Sequence, residues 1–391
     1  MSWGGSDKFM QPTISTIPLA TLASGDRLSL QVYTFKGHKP GRKVYLQSNL
    51  HGAEIAGNAV IHELIQFFST LPSEQLQGEV CMVPACNPMG TNERSQHFSS
   101  GRYNVYDGKD WNRIFWDYEQ AIAIDAPTNG SLDEFAQVHI TQDEAVIQQR
   151  YRQRILDAFA ALQTKIQSPQ SVPFREKYRY SLQSLCLDAD YVIDLHSSNN
   201  QGITYIYYFK NRDDSAKFFL MPVGILLDTY DGDAFDEAFI KPWLALESSF
   251  AALGRSLRFD IEAWTLELGS GMQVNADSVA KGIRGVKNYL VQKGVLSLQD
   301  YPIESLPYHD IRFTVSSRLN RYYAPTGGYI QFRVPLGSSV EAGQPIYELL
   351  CLNKDGQVPH TVKVVAATSG LVYDVSTNQA VNEGEYVMGL L

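Results

Sequence analysis

Ser48-Asn49-Leu50-His51-Gly52-Ala53-Glu54 carries more structural information than any other segment of this chain. Before it, Lys43 to Gln47 reads as a strand. After it, Ile55 to Phe68 places Ile61, Leu64, Ile65 and Phe68 at helical spacing on one side. The polar turn between them holds a histidine and a glutamate three residues apart. One imidazole nitrogen and one carboxylate converging from a short turn suit a divalent metal, and zinc accepts both ligand types. A further ligand is offered at the end of another apolar run, Tyr191-Val192-Ile193-Asp194-Leu195-His196. Three protein ligands plus an open position is the stoichiometry of a catalytic zinc, whereas structural zinc is usually closed by four. Taken alone, the His51/Glu54 pair favours a plainer reading, a polar turn capping the next helix, because short His-x-x-Glu spacings arise by chance.

Around this turn the chain is long enough to divide. Its 391 residues exceed the size at which single cores stop growing, so two domains are expected, residues 1–300 and 301–391. A composition of 44% hydrophobic and 19% charged residues is that of an ordinary globular protein. Lysine and arginine total 33 against 42 acidic residues, a formal charge of −9. That balance disfavours non-specific binding to nucleic acid or to an anionic membrane, while leaving room for a local basic pocket. Met1 to Thr13 lacks the basic start, apolar core and cleavage-like end of a secretory signal. No apolar stretch approaches the ~18 residues of a membrane-spanning helix. Cys81, Cys86, Cys186 and Cys351 show no zinc-ribbon spacing and read as mostly reduced and buried, so the cytoplasm is the expected location.

The pattern alternates. Ser15 to Asn49 reads as two or three strands with turns at Ser24-Gly25-Asp26 and Gly37 to Gly41. Glu79–Pro84, Tyr191–Leu195, Ile203–Phe209 and Thr265–Leu268 read as further strands, Tyr118 to Pro173 as polar and helix-prone, and Ser278–Leu296 as helical. Strands alternating with helices predict an α/β domain with a mixed, mostly parallel sheet flanked by helices. Sites in such sheets gather beyond the strand C-terminal ends. His51, His196 and Glu267 all lie at or just past such an end. From Arg312 onward, short alternating strands broken by turn signals predict a compact all-β module. Within it, Ala324–Gly328 with Val340–Gln344 resembles Ala366–Gly370 with Val381–Glu385. This half-repeat is similar to the hammerhead modules of biotinyl and lipoyl carriers. No modifiable lysine is evident at an equivalent tip, so a structural or site-covering role is expected.

The segment Gly101 to Phe115 adds Arg102, Asn112 and Arg113. Arg113 suits a bidentate clamp on a carboxylate and Asn112 a further donor, although in isolation the segment reads as a solvated surface loop. Taken together, the pieces resemble the succinylglutamate desuccinylase/aspartoacylase family of the zinc carboxypeptidase-like superfamily. The matching pieces are His51-Gly52-Ala53-Glu54, Asn87-Pro88-Met89-Gly90, Asp110-Trp111-Asn112-Arg113-Ile114-Phe115, Asp194-Leu195-His196 and Thr265-Leu266-Glu267-Leu268-Gly269, with the terminal β module. The resemblance implies that His51, Glu54 and His196 bind one zinc per chain and that Glu267 is the general acid/base. It implies that Asn112 and Arg113 hold a substrate carboxylate, with an upstream arginine polarising the scissile carbonyl, Arg102 rather than its competitor Arg94. Trp111 replaces a smaller aliphatic residue and the Tyr118–Pro173 stretch is long for the family, so both are expected to reshape the pocket entrance.

The function so implied is a zinc-dependent hydrolase cleaving the amide bond of an N-acyl amino acid or a similar small carboxylate-bearing amide. The alternatives are a metallocarboxypeptidase acting on peptides and a non-catalytic zinc-binding protein. No nucleic acid or membrane partner is expected, and a homo-oligomer is compatible with the sequence. Glu267 has apolar neighbours, Leu266 and Leu268, among which a carboxylate needs a partner. Asp194 is a candidate to orient a ligand histidine. His62-Glu63 begins like a metalloprotease helix, but position 66 is Gln and the motif fails. His97, His139, His309 and His360 read as structural or exposed, and Tyr205 to Phe209 as core and sheet surface.

Overall fold

A computed structural model describes residues 9–95, 99–124, 130–167 and 172–391 of the chain; His97 lies outside them. Among the described residues, ten strands occur before the terminal module: β1 (Thr13–Thr21), β2 (Arg27–Lys36), β3 (Lys39–Ser48), β4 (Gln77–Val83), β5 (Tyr191–Ser198), β6 (Gln201–Gly202), β7 (Thr204–Tyr208), β8 (Val223–Leu226), β9 (Glu262–Ser270) and β10 (Arg312–Val315). All but β6 join one mixed sheet in the order β1-β2-β4-β3-β5-β9-β7-β8-β10. Its centre, β4-β3-β5-β9, is parallel, and β7 runs antiparallel to β9.

Alternation along the central strands sorts residues onto two faces. Val44, Leu46, Ile193, Leu195, Trp264, Leu266 and Leu268 pack beneath the helices Ala56–Phe68 and Ala276–Gln292. Tyr45, Val192 and Ala263 point the other way, towards Glu144–Ile166, Phe174–Gln183 and Phe235–Ala252. The apolar neighbours of Glu267 therefore belong to the opposite face, and they say nothing about what that carboxylate meets. All four cysteines are free and buried. Among the described residues, no helix is long and apolar enough to cross a membrane.

The helix Phe235–Ala252 and strand β8 had no counterpart in the sequence pattern. Asp236, Glu237, Pro242 and Glu247 interrupt the apolar period of that helix, yet all four are buried. Tertiary partners make this tolerable. Arg212 is fully buried and reaches Glu247 through Nη1 (2.9 Å) and Nη2 (2.6 Å), with Nη2 also donating to the carbonyls of Phe259 and Ile261.

The terminal module comprises β11 (Asn320–Tyr323), β12 (Gly328–Arg333), β13 (Ser339–Val340), β14 (Pro345–Cys351), β15 (His360–Val365), β16 (Gly370–Val375), β17 (Ala380–Val381) and β18 (Tyr386–Leu390). They form two sheets, β11-β18-β16-β13 and β15-β14-β12-β17, around Val340, Ile346, Leu349, Val372 and Val387. The half-repeat appears as matched cross-connections. Ala324 N–H donates to Glu385 O while Gly384 N–H donates to Ala324 O, and Ala366 N–H donates to Gln344 O while Gly343 N–H donates to Ala366 O. Gly343 and Gly384 adopt φ of +83° and +81°, the left-handed region these tight turns need. β10 lies beyond residue 301 yet closes an edge of the large sheet against β8, and the module's own strands begin at Asn320.

Removing one partner of a buried ion pair leaves the other charge uncompensated. Arg212→Ala is expected to destabilise the fold by about 3 to 5 kcal/mol in denaturant melts. A double replacement of Arg212 and Glu247 by apolar residues should recover most of that loss.

Candidate metal and catalytic site

The parallel register brings three strand ends to one level. His196 on β5 is aligned with Glu267 on β9, and Glu267 is aligned with Tyr205 on β7. One residue pair earlier, Asp194 aligns with Thr265, and Thr265 with Tyr207. β3 ends alongside at Ser48, which aligns with Leu195. From there the chain turns through Asn49 in a left-handed conformation (φ 66°), a region Asn tolerates better than most residues. Asn49 Nδ2 then donates to the carbonyls of His51 and Gly52, 3.0 Å each. A Cβ on Gly52 would lie 2.1 Å from the Gly90 carbonyl oxygen, so this close backbone crossing admits only glycine. The Asn87-Pro88-Met89-Gly90 motif buttresses the same turn: Asn87 Nδ2 donates to Leu50 O (2.7 Å) and Thr91 Oγ1 to Asn49 Oδ1 (2.6 Å).

The turn delivers His51 and Glu54 beside His196. Nδ1 of His51 is 2.8 Å from Glu54 Oε1, and Nδ1 of His196 is 2.7 Å from Glu54 Oε2. One ligand atom from each of the three residues lies within 4.8 Å of the others, and all three are buried. The outer nitrogens face carboxylates. Nε2 of His51 is 2.9 Å from Asp110 Oδ1. Nε2 of His196 is 3.0 Å from Asp194 Oδ2, a charge contact whose geometry falls short of a hydrogen bond, so both oxygens of the buried Asp194 lack a donor. Carboxylates behind the distal nitrogens orient metal-ligating imidazoles and raise their basicity.

Glu54, Asp110, Asp194 and Glu267 crowd this site, and the Arg102 guanidinium reaches Asp110 and Glu54. Its Nε is 2.8 Å from Asp110 Oδ2 and its Nη1 3.9 Å from Glu54 Oε1. Burial alone would raise the Glu54 carboxyl, but the two imidazoles hold it well below the usual carboxylate range. Burial would likewise lower His196, yet Asp194 and Glu54 hold it well above an ordinary imidazole. The Glu267 carboxyl is pushed up to about 8, first by burial and then by the charge of Glu54, with His196 and Arg102 opposing. Its Oε2 has no hydrogen-bond partner. Two imidazole nitrogens, a buried carboxylate between them and orphaned carboxylate oxygens around them fit a divalent cation, whose charge would offset the surplus.

The triad opens into a cavity of about 910 Å³, lined also by Arg102, Asn112, Arg113 and Glu267. All seven residues expected at the site thus share one cavity. Asn112 Oδ1 accepts from Phe235 N–H (2.8 Å), which turns its amide nitrogen free, and Arg113 Nη1 donates to the Asn112 carbonyl (2.6 Å). Arg94 lines no part of it; its guanidinium is spent on the carbonyls of Thr91 and Glu93. Trp111 does not reshape the entrance as expected. It is buried, edge-on to Phe174 and Tyr178, and belongs to the core. The described residues of Tyr118–Pro173 also contribute nothing to the cavity wall. His62 is exposed on its helix, and His139 is buried with Nδ1 2.7 Å from Phe135 O.

Several lining residues escaped the sequence pattern. Tyr205 and Tyr207, read there as core and sheet surface, face the cavity, and Arg321 and Tyr386 of the terminal module complete its wall. Asp236 and Glu237 contribute two buried carboxylates, the latter raised to about 7 by burial and by its neighbour Asp236. The tyrosines were legible as alternate residues of one strand. The module residues had no local signal.

Residues 40–153 match the model of the succinylglutamate desuccinylase/aspartoacylase catalytic domain. No curated protein matches the chain. A solved structure of a family protein of that name from Shewanella amazonensis SB2B is 27% identical, with 97% of this chain and 98% of that one covered and a TM-score of 0.82. One from Shewanella frigidimarina NCIMB 400 is 24% identical over 98% of both chains, with a TM-score of 0.84. A succinylglutamate desuccinylase/aspartoacylase structure from Rhodobacter sphaeroides is 17% identical, covers 100% of this chain and 98% of that one, and has a TM-score of 0.65. The likeness therefore runs through the terminal module as well as the sheet.

Asp110 offers a check on the electrostatics. Burial would raise its carboxyl, but hydrogen bonding and charge from His51, then Arg102, lower it to about 2 from 3.8. A depressed folded-state value means that its contribution to stability is present above about pH 4 and is lost as the pH falls towards 2. In metal-stripped protein, the stability gap between wild type and Asp110→Asn should narrow across that window in denaturant titrations. A gap that widens on acidification would contradict the assignment.

Proposed function

We propose that this chain belongs to the succinylglutamate desuccinylase/aspartoacylase family and is a zinc-dependent amidohydrolase that removes the acyl group from an N-acyl amino acid or a similar small carboxylate-bearing amide. The family is one of hydrolases. What carries the proposal is the convergence of His51 Nδ1 and His196 Nδ1 on the two oxygens of Glu54, in one cavity with Glu267. His51, Glu54 and His196 would hold one zinc per chain, which supplies Lewis acidity and lowers the pKa of water towards ~7.

The remaining roles belong to the protein. Glu267, aligned with His196 and with an Oε2 that lacks a partner, would take a proton from the attacking water and return it to the leaving nitrogen, once a cation at the triad offsets the negative charge that helps keep this buried carboxyl protonated. Arg102, fixed by Asp110 and reaching towards Glu54, would stabilise the oxyanion that develops on the scissile carbonyl. Arg113, with the amide nitrogen of Asn112 beside it, would hold the substrate carboxylate and so set the reacting bond against Glu267. Asp110 and Asp194 would keep the imidazoles in the ligating orientation. The terminal module narrows the cavity through Arg321 and Tyr386, which favours a small amide over a peptide and places the carboxypeptidase reading second. The retained ligand set and Glu267 speak against a merely binding protein.

Zinc-loaded protein incubated with a panel of N-acyl amino acids and short peptides should release amino acid from the former. Turnover of peptides alone would reject the deacylase in favour of a carboxypeptidase. Chelation should abolish activity and zinc restore it. Glu267→Gln should lower kcat by roughly 10²- to 10⁴-fold, the usual weight of general acid–base catalysis, and normal turnover in that variant would remove Glu267 from the mechanism.

A further inference from the structure

We propose that Asp374, on β16 of the terminal module, is a positioning residue that fixes the end of β5 so that His196 meets Glu54. The inference rests on the reading of His51, Glu54 and His196 as metal ligands, and it makes the module part of the site's scaffold as well as its cover. Asp374 is 7% exposed, and among the described residues no lysine or arginine lies within ion-pair distance of it. A carboxylate buried without a countercharge is costly unless donors surround it. The donors here come from the chain that follows His196: Ser198 Oγ donates to Oδ2, and Asn200 Nδ2 donates to Oδ1 (3.4 Å). Asn200 N–H in turn donates to Ser198 Oγ (3.0 Å), and Thr377 N–H to Asn200 Oδ1 (3.5 Å).

The backbone repeats the connection. β6 adds to β16 with Gly202 opposite Asp374 and Gln201 opposite Val375, and Ile203 N–H donates to Tyr373 O (2.9 Å). A Cβ on Gly202 would lie 3.0 Å from Ser198 Cβ and 3.4 Å from Asp374 Oδ2, so the absence of a side chain there lets the two segments close. The inner side of the same segment is tied to the metal-binding turn. Ser197 N–H is 3.4 Å from Glu54 Oε2, Gly271 N–H donates to Asn200 O (3.2 Å), and Met272 N–H donates to Ala53 O (2.7 Å). Residues 197–202 are therefore held between the Glu54 turn and the module, and Asp374 is the side chain that accepts from two of them at once. A site of this kind works only when its ligands are held to roughly half an ångström, which a loose strand end does not provide.

The test uses the full-length protein with Asp374→Ala and Asp374→Asn. Zinc affinity is measured by competition with a chromogenic chelator, and amide hydrogen exchange over residues 197–202 is measured without metal. Asp374→Ala should weaken zinc binding by about 10- to 100-fold, the range seen when an outer partner of a metal ligand is removed. Exchange should speed up over 197–202 while the rest of the sheet and module exchange as in wild type. Asp374→Asn keeps one carbonyl oxygen and so accepts from one donor only; it should fall between wild type and Ala, and it decides the question if the Ala variant does not fold. Zinc affinity within about twofold of wild type, or unchanged exchange over 197–202, overturns the proposal. Should the wild type itself bind no zinc, the metal reading falls, and the exchange measurement alone decides whether Asp374 fixes the strand end.

Discussion

The Glu54 carboxylate, buried and approached by an imidazole on each oxygen, is the contact around which the molecule is organised. An ionised carboxylate withdrawn from water is tolerable only when partners replace its hydration on both sides. Those partners come from two strands, β3 through its following turn and β5, which are neighbours in the sheet but separated by more than a hundred residues in the chain. The sheet must therefore bring β3 and β5 into parallel register before the carboxylate is satisfied. Helices between β4 and β5 pack against one face of that sheet.

Support spreads outward from this contact in layers of charge. Asp110 and Asp194 stand behind the imidazoles, and Arg102 joins Asp110 to the edge of Glu54. Carboxylates outnumber cations at this buried triad, an imbalance that a divalent cation would offset. Glu267 feels the same field. Buried, with the charge of Glu54 acting on it and no donor on Oε2, it holds its proton unusually tightly for a carboxyl group.

The large sheet and the terminal module meet where β5, the strand that carries His196, ends. β6 leaves the sheet to pair with β16, and the module's Arg321 and Tyr386 return to the cavity wall. Arg321 and Tyr386 reach the cavity from β11 and β18, whereas His51, Glu54 and His196 come from the turn after β3 and from β5, so the wall and the triad are supplied by different elements.

Much of the site was legible in local pattern. Asn49, Gly52 and the His51/Glu54 spacing describe a turn that backbone sterics nearly dictate, and the alternation Asp194-Leu195-His196 and Thr265-Leu266-Glu267-Leu268 already separates the polar face from the apolar one. The half-repeat of the module was visible for the same reason, since each half makes its turns with its own residues. Pairing across distance was not visible. The contacts that fix Arg102 beside Asp110 and Glu54, the burial of Trp111, the helix Phe235–Ala252 with its buried charges, and the module's grip on the strand after His196 all depend on which segments lie side by side. Short-range periodicity determined most of the elements and the residue types at the turn and strand ends. Only the register of the sheet, a property of hydrogen bonds between segments remote in sequence, decided which side chains meet.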